Sequence, residues 1–147
     1  MSITATINWL AAIREYLLAD SGVTGQVSTE VYVEHLPKDA STPGKAIIVQ
    51  SSGGAPASRM PLADVNVSLR CYGDTAVDAW AVYAVARTAL HNVRNQKIEL
   101  GGGVGSGDLW MLVSKETGLP DYMEEPDAGW PFYLAKFKCK FVTFPVT

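Results

Sequence analysis

At 147 residues the chain fits one folded domain and is long enough to bury a core without disulfide or metal staples. Its 48% hydrophobic and 18% charged residues are ordinary for a globular protein, and a net charge of -3 argues against a dedicated nucleic-acid binder, which carries a basic surplus. No apolar run approaches the ~18 residues of a membrane span and no basic-then-apolar leader opens the sequence, so the expectation is synthesis in a cytoplasm with no membrane partner.

The segment Thr4 to Asp20 predicts a first helix, because Ile3, Ile7, Leu10, Ile13 and Leu17 recur at three- and four-residue steps and Gly22 offers a stop. Three strands are expected next. Glu30 to Glu34 is short and broken by Leu36-Pro37, and Lys45 to Ser51 carries Ile47, Ile48 and Val49, apolar enough for burial on both faces. Asp64 to Tyr72 alternates Val65, Val67, Leu69 and Cys71 with polar neighbours, the period of a half-buried strand. Between the second and third strands, Ser51 to Pro61 reads as a long loop rich in Gly, Ser and Pro. Its Gly53, Gly54, Arg59 and Met60 are candidate partner contacts.

A second helix opens after Gly73, with Thr75 as N-cap and Asp78 three residues on. From Ala76 to Ala86 its only polar side chains are Asp78 and the hydroxyl of Tyr83. A helix lying on a sheet needs one apolar stripe, so the surplus is covered either within the monomer or by another subunit. Trp80 and Tyr83 are the candidate subunit-interface residues. Beyond Arg87 the pattern turns Leu90 and Val93 inward. Lys97 to Leu100 and Asp108 to Ser114 read as strands joined by the flexible Gly101 to Gly107 run, the latter strand with Leu109, Met111 and Val113 on one face. A polar stretch from Lys115 to Pro131 precedes the closing strand, Phe132 to Phe144. The fold class that follows is α+β, a mainly antiparallel β-sheet with two α-helices packed on it, in a single domain spanning 1-147.

Chemistry leaves little trace. Cys71 and Cys139 form no Cys-x-x-Cys pair and read as small buried hydrophobes of a reducing compartment. The glycine run lacks a following Lys-Ser/Thr and leads into a strand, where a phosphate loop needs a helix N-terminus. His35 and His91 have no metal-ligand spacing, and no nucleophile elbow occurs. No catalytic, cofactor or metal residue is therefore assigned. Two charged groupings remain. Glu124, Glu125 and Asp127, with Trp130, read as a solvated or interface loop. Lys136, Lys138 and Lys140 share one strand face, as an edge guard or as an electrostatic patch for an acidic partner or passing DNA.

Several motifs in order carry a family likeness. They are Leu17-Leu18-Ala19-Asp20-Ser21-Gly22-Val23, Val31-Tyr32, Leu36-Pro37, Ile47-Ile48-Val49 leading into Gly53-Gly54 and Pro61, Val67 to Thr75 before an alanine-rich helix, and Glu125 to Pro131 before the last strand. Each is weak alone; the ordered set resembles the tail-terminator, or tail-completion (head–tail joining), proteins of long-tailed phages. What the resemblance implies is a non-enzymatic virion protein at the head-proximal end of the tail. It would form a homo-oligomeric ring, usually a hexamer, that caps the tube, ends its polymerisation and docks the head-tail connector. The implied partners are its own copies, the tail tube protein and the connector, with DNA passing through the ring without sequence-specific binding. The alternatives are a head-side neck protein or other tail ring component, a small hydrolase with a site assembled across the fold, and a host-derived binding module gripping a ligand with the Gly53-Gly54 loop.

Overall fold

A computed structural model describes residues 9–34, 44–56, 62–98, 108–125 and 129–144. Among the described residues, three helices (α1 Trp9–Leu18, α2 Ser21–Val27, α3 Ala76–Leu90) and seven strands (β1 Val31–Val33, β2 Ala46–Pro56, β3 Leu62–Tyr72, β4 Val93–Ile98, β5 Asp108–Glu116, β6 Asp121–Glu124, β7 Pro131–Phe144) give the α+β architecture that the patterning implies. The strands form one sheet in the order β1-β2-β3-β7-β5-β4, with β6 also paired to β7. Among the described residues only β1 and β2 run parallel.

The fourteen-residue β7 is the spine of this sheet. It pairs along its length with β3, from Leu62↔Val142 to Tyr72↔Phe132. On its other side β5 covers residues 137–144 and β6 covers residues 131–134, so the two short strands form one interrupted neighbour. Thr117 bridges the interruption, its amide donating to Lys136 O at 2.9 Å.

The helices lie on one face of the sheet. Ala12, Ile13 and Leu17 of α1 and Val82, Tyr83, Ala86, Ala89 and Leu90 of α3 join one core with Val65, Val67, Leu69 and Cys71 of β3 and Ala135, Phe137, Cys139 and Phe141 of β7. The alternation in β3 and β7 is thus the core face, as the period of two demands. Burial holds both cysteines as thiols: Cys139 is pushed up to about 11 and Cys71 higher still.

The structure revises several local expectations. Gly22 does not end the first helix. That helix stops at Leu18, and Asp20 caps α2, its carboxylate accepting from the amides of Gly22 at 2.8 Å and Val23 at 3.1 Å. The Asp-Ser-Gly sequence is a helix start, because a short acceptor at N-cap satisfies orphan amides that a glycine stop would leave to solvent. The expected loop from Ser51 to Pro61 is ladder as far as Pro56, and residues 57–61 lie outside the described residues. β2 continues to Pro56 with a bulge between Ser51 and Gly54, and β3 starts at Leu62. Glycines weaken a strand but suit a bulge, which the loop reading overlooked. The last helix turn ends at Leu90, and β4 starts at Val93 rather than Lys97. The stretch from Lys115 to Pro131, read only as polar, contains β6.

In β5 the expected face is broken. Met111 pairs with Phe141 but Val113 pairs with Lys140, so one extra residue bulges between them. A bulge reverses the parity downstream. Val113 turns outward, and Ser114 enters the core against Cys139 Sγ at 3.4 Å. Gly73, just before α3, has a structural reason to be glycine: a Cβ there would lie 2.6 Å from the Asp78 carbonyl carbon and closer still to the Ala79 amide. Thr75 Oγ1 accepts from the Asp78 amide at 3.2 Å, the cap that the sequence predicts.

Candidate interaction surface

The open face of the sheet, away from the helices, divides into two halves. At one end Ile48, Tyr72 and Phe132 form a second, small cluster with Trp130 and Leu134 packed on it. Residues of the Glu125–Trp130 segment strap it down. The Glu125 carboxylate accepts from Arg70 Nη1 at 3.1 Å and from the Tyr72 hydroxyl. Arg70 in turn lies over the Phe132 ring, 5.1 Å from its centroid. The Glu125 amide donates to Trp130 O at 3.0 Å, and Gly129 closes the turn with φ +70, a left-handed value that favours glycine. Burial and the Glu125 carboxylate push the Tyr72 hydroxyl up to about 12.

Glu125 and Trp130 are therefore engaged within the subunit. Glu124 stays exposed on β6, accepting from Tyr122 at 3.0 Å, and Asp127 lies outside the described residues. The strap explains why Tyr72, which the alternation assigns to the polar side, is buried. Arg70 and Tyr72 lie more than fifty positions from Glu125, and the β3–β7 and β6–β7 pairings bring it over them.

The other half of the open face is cationic. Lys136, Lys138 and Lys140 stand on β7 as the alternation predicts, each exposed. The structure adds Lys115 of β5 directly opposite Lys138, and Arg94 of β4 opposite Val113. Lys115 was missed because only the bulge turns it to this face. Lys140 reaches Asp64 at 3.8 Å; Lys115, Lys136 and Lys138 have no ion pair among the described residues. Asp64, Val113, Lys115, Lys138 and Lys140 line a shallow depression.

On the helix side, an aromatic ridge climbs from the β6 edge onto α3. Tyr122 meets Tyr133 edge-on at 5.4 Å, Tyr133 meets Trp80 at 5.1 Å, and Trp80 meets Tyr83 at 4.9 Å. Of the two residues proposed for a subunit contact, Trp80 is 48% exposed, whereas Tyr83 is buried and supports it from beneath. Val77, 77% exposed, and Tyr122, 46% exposed, extend the same surface. Tyr122 lay in a stretch read as a polar connection. The Tyr83 hydroxyl donates to Glu116 at 2.6 Å, and Arg87 Nε donates to the same carboxylate at 2.9 Å. Burial and Glu116 push the Tyr83 hydroxyl well above the ordinary tyrosine range.

Of the proposed partner loop, Gly53 and Gly54 lie in β2, while Arg59 and Met60 fall outside the described residues, as do the glycine run at 101–107 and His35. His91 caps α3 and accepts from the Glu116 amide at 3.1 Å. Among the described residues no group of three or more His, Cys, Asp or Glu side chains could hold a metal.

Comparison with known proteins matches a family model and solved structures. The family model described as tail completion protein gp17 matches residues 11–108, about two thirds of the chain. A chain in the structure of the virion of a native gene transfer agent particle superposes with a TM-score of 0.63. It is 18% identical, and the match covers 90% of this chain and 92% of that one, a likeness of fold. No match is found among curated proteins.

Proposed function

This chain belongs to the tail completion protein gp17 family, and from that premise we propose that it is a structural, non-enzymatic component of a phage-type virion that caps the tail tube as a homo-oligomeric ring. In this reading six copies close on the last layer of tube, end its polymerisation and present a docking surface to the head connector. DNA passes through the ring without sequence-specific contacts. Assembly takes place in the host cytoplasm, and the protein remains at the head-proximal end of the tail.

The family match is the observation that carries this reading. Two features of the molecule support it. Among the described residues the helices lie on one face of the sheet, and the lysine half of the other face is left for neighbours. The exposed Trp80, Val77 and Tyr122 form an apolar rim of the kind that anchors subunit contacts, with Tyr83 fixing the indole from behind.

Deleting the gene and viewing lysates by negative-stain microscopy tests the role. Loss of a cap leaves tube growth without a stop, so overlong tails beside unattached DNA-filled heads are expected. Tails of normal length, finished and capped, beside leaking heads would refute capping and assign the protein to the head side of the neck. Native mass spectrometry of the purified protein tests the ring itself.

A further inference from the structure

The cationic half of the open face is an electrostatic anomaly in a chain of net charge -3. Lys115 and Lys138 are direct cross-strand partners, an arrangement that opposes folding because like charges face each other at close range. Lys136 and Lys140 flank Lys138 on the same strand face, so the row spans four residues, roughly 13 Å of extended chain.

The β1 edge of the sheet carries the complement. β1 is an outermost strand of three residues, bracketed by the exposed Glu30 and Glu34. Both sit in the ladder register: Glu30 O accepts from the Ile47 amide at 3.0 Å and the Glu34 amide donates to Val49 O at 2.9 Å. They too are four residues apart, roughly 13 Å along extended chain. Neither carboxylate has an ion pair among the described residues. The nearby cations are turned elsewhere, Arg14 to Val31 O at 2.6 Å and Lys45 to Gln26 at 3.0 Å.

We propose that the Lys136–Lys138–Lys140 row, with Lys115, receives the acidic β1 edge of a second copy of this chain, Glu30 and Glu34 meeting the lysines. Donor and acceptor surfaces are different parts of one molecule, so the contact is head-to-tail, and its repetition builds a closed ring or a helix. The charges set orientation and partner choice. A nucleic-acid backbone is the less favoured occupant, because the chain carries a net charge of -3, against the basic surplus of a nucleic-acid binder. The inference rests on the ring reading above.

The test is reciprocal charge reversal, read by sedimentation velocity with circular dichroism to verify folding. Lys136→Glu with Lys138→Glu, and separately Glu30→Lys with Glu34→Lys, should each weaken assembly at least about tenfold, since like charges then face each other across the contact. Mixed in equal amounts, the two variants should reassemble, because each supplies the charge that the other lacks. For wild-type protein, assembly should weaken from about 0.05 M to about 0.5 M salt as the Debye length shortens. Variants that assemble like wild type, or folded variants that stay apart on mixing, overturn the proposal while leaving the ring intact. So does a lysine variant that assembles normally but no longer retains a short DNA duplex. A wild-type chain that never oligomerises removes the ring reading itself, and the contact falls with it. Should either reversal unfold the protein, Lys138→Gln and Glu34→Gln, each losing one charge, must show the same weakening at low salt.

Discussion

The two faces of one sheet are built to different ends. The helix-covered face is a single continuous apolar core, in which β3 and β7 contribute every second residue and α1 and α3 close the top. The open face is discontinuous: an apolar cluster strapped by Glu125 and Trp130 at one end, and a field of unneutralised lysines at the other. The contrast separates what holds the subunit together from what it offers to others. The largest stabilising terms belong under the helices, and side chains on the lysine half add little or oppose folding.

Phe137→Ala tests the covered face most severely. Phe137 is fully buried on β7 beneath the helices, and deleting a core phenylalanine costs about 3–5 kcal/mol through lost transfer energy and the cavity left behind. Urea denaturation should show this fall in stability. A loss no greater than that of the open-face variants below would break the division. Glu116→Ala is expected next, at about 1–3 kcal/mol. It strands the Tyr83 hydroxyl and frees Arg87, and the outcome should lie toward the lower end because the Arg87 side chain is 45% exposed and can turn to water.

Tyr72→Phe sharpens the open-face half. It removes one hydrogen bond to Glu125 while keeping the ring packing on Phe132, a cost of about 1 kcal/mol. The pH dependence follows from the raised hydroxyl, held up first by burial and then by the Glu125 carboxylate. A group whose folded value exceeds its unfolded value of about 10 gives its full stabilisation below pH 10 and loses it as the pH rises toward 12. The gap between wild type and Tyr72→Phe in urea midpoint should therefore narrow over that window. A constant gap would show that the strap does not depend on the phenol proton.

How much of this was legible in the sequence depends on the range of the forces involved. The covered face reads directly, because alternation in Asp64 to Tyr72 and Phe132 to Phe144 is a local record of burial. The α3 cap reads from Thr75 and Asp78 for the same reason. The lysine row was legible as a row, but its severity was not. Lys115 faces Lys138 only because the β5 bulge reverses parity after Met111, and nothing in Leu109-Trp110-Met111-Leu112-Val113 announces a bulge. The strap escaped for a similar reason: Tyr72 alternates as a surface residue, and its cover comes from residues more than fifty positions away. Of the two candidate interface aromatics, spacing put Trp80 and Tyr83 on one helix face. Their different depths follow from Glu116 and Tyr133, which the spacing does not see.

The smallest expected effect is also the most pointed. Lys138→Gln removes a charge that faces Lys115 across the ladder and has no ion pair among the described residues. A residue kept for folding should cost stability when altered. Here, relief of like-charge opposition should raise the urea midpoint of the monomer slightly at low salt, and the rise should vanish at about 1 M salt, where screening shortens the Debye length to ~3 Å. The aliphatic stem of glutamine keeps most of the local packing, so the change isolates the charge. Measured on monomer, a gain in stability together with a loss of assembly would separate the two faces cleanly, since the same lysine would then oppose the fold and favour the contact. A loss of monomer stability would instead show that Lys138 supports its own sheet; the edge-guard reading of the row is already excluded, because β7 is paired on both sides.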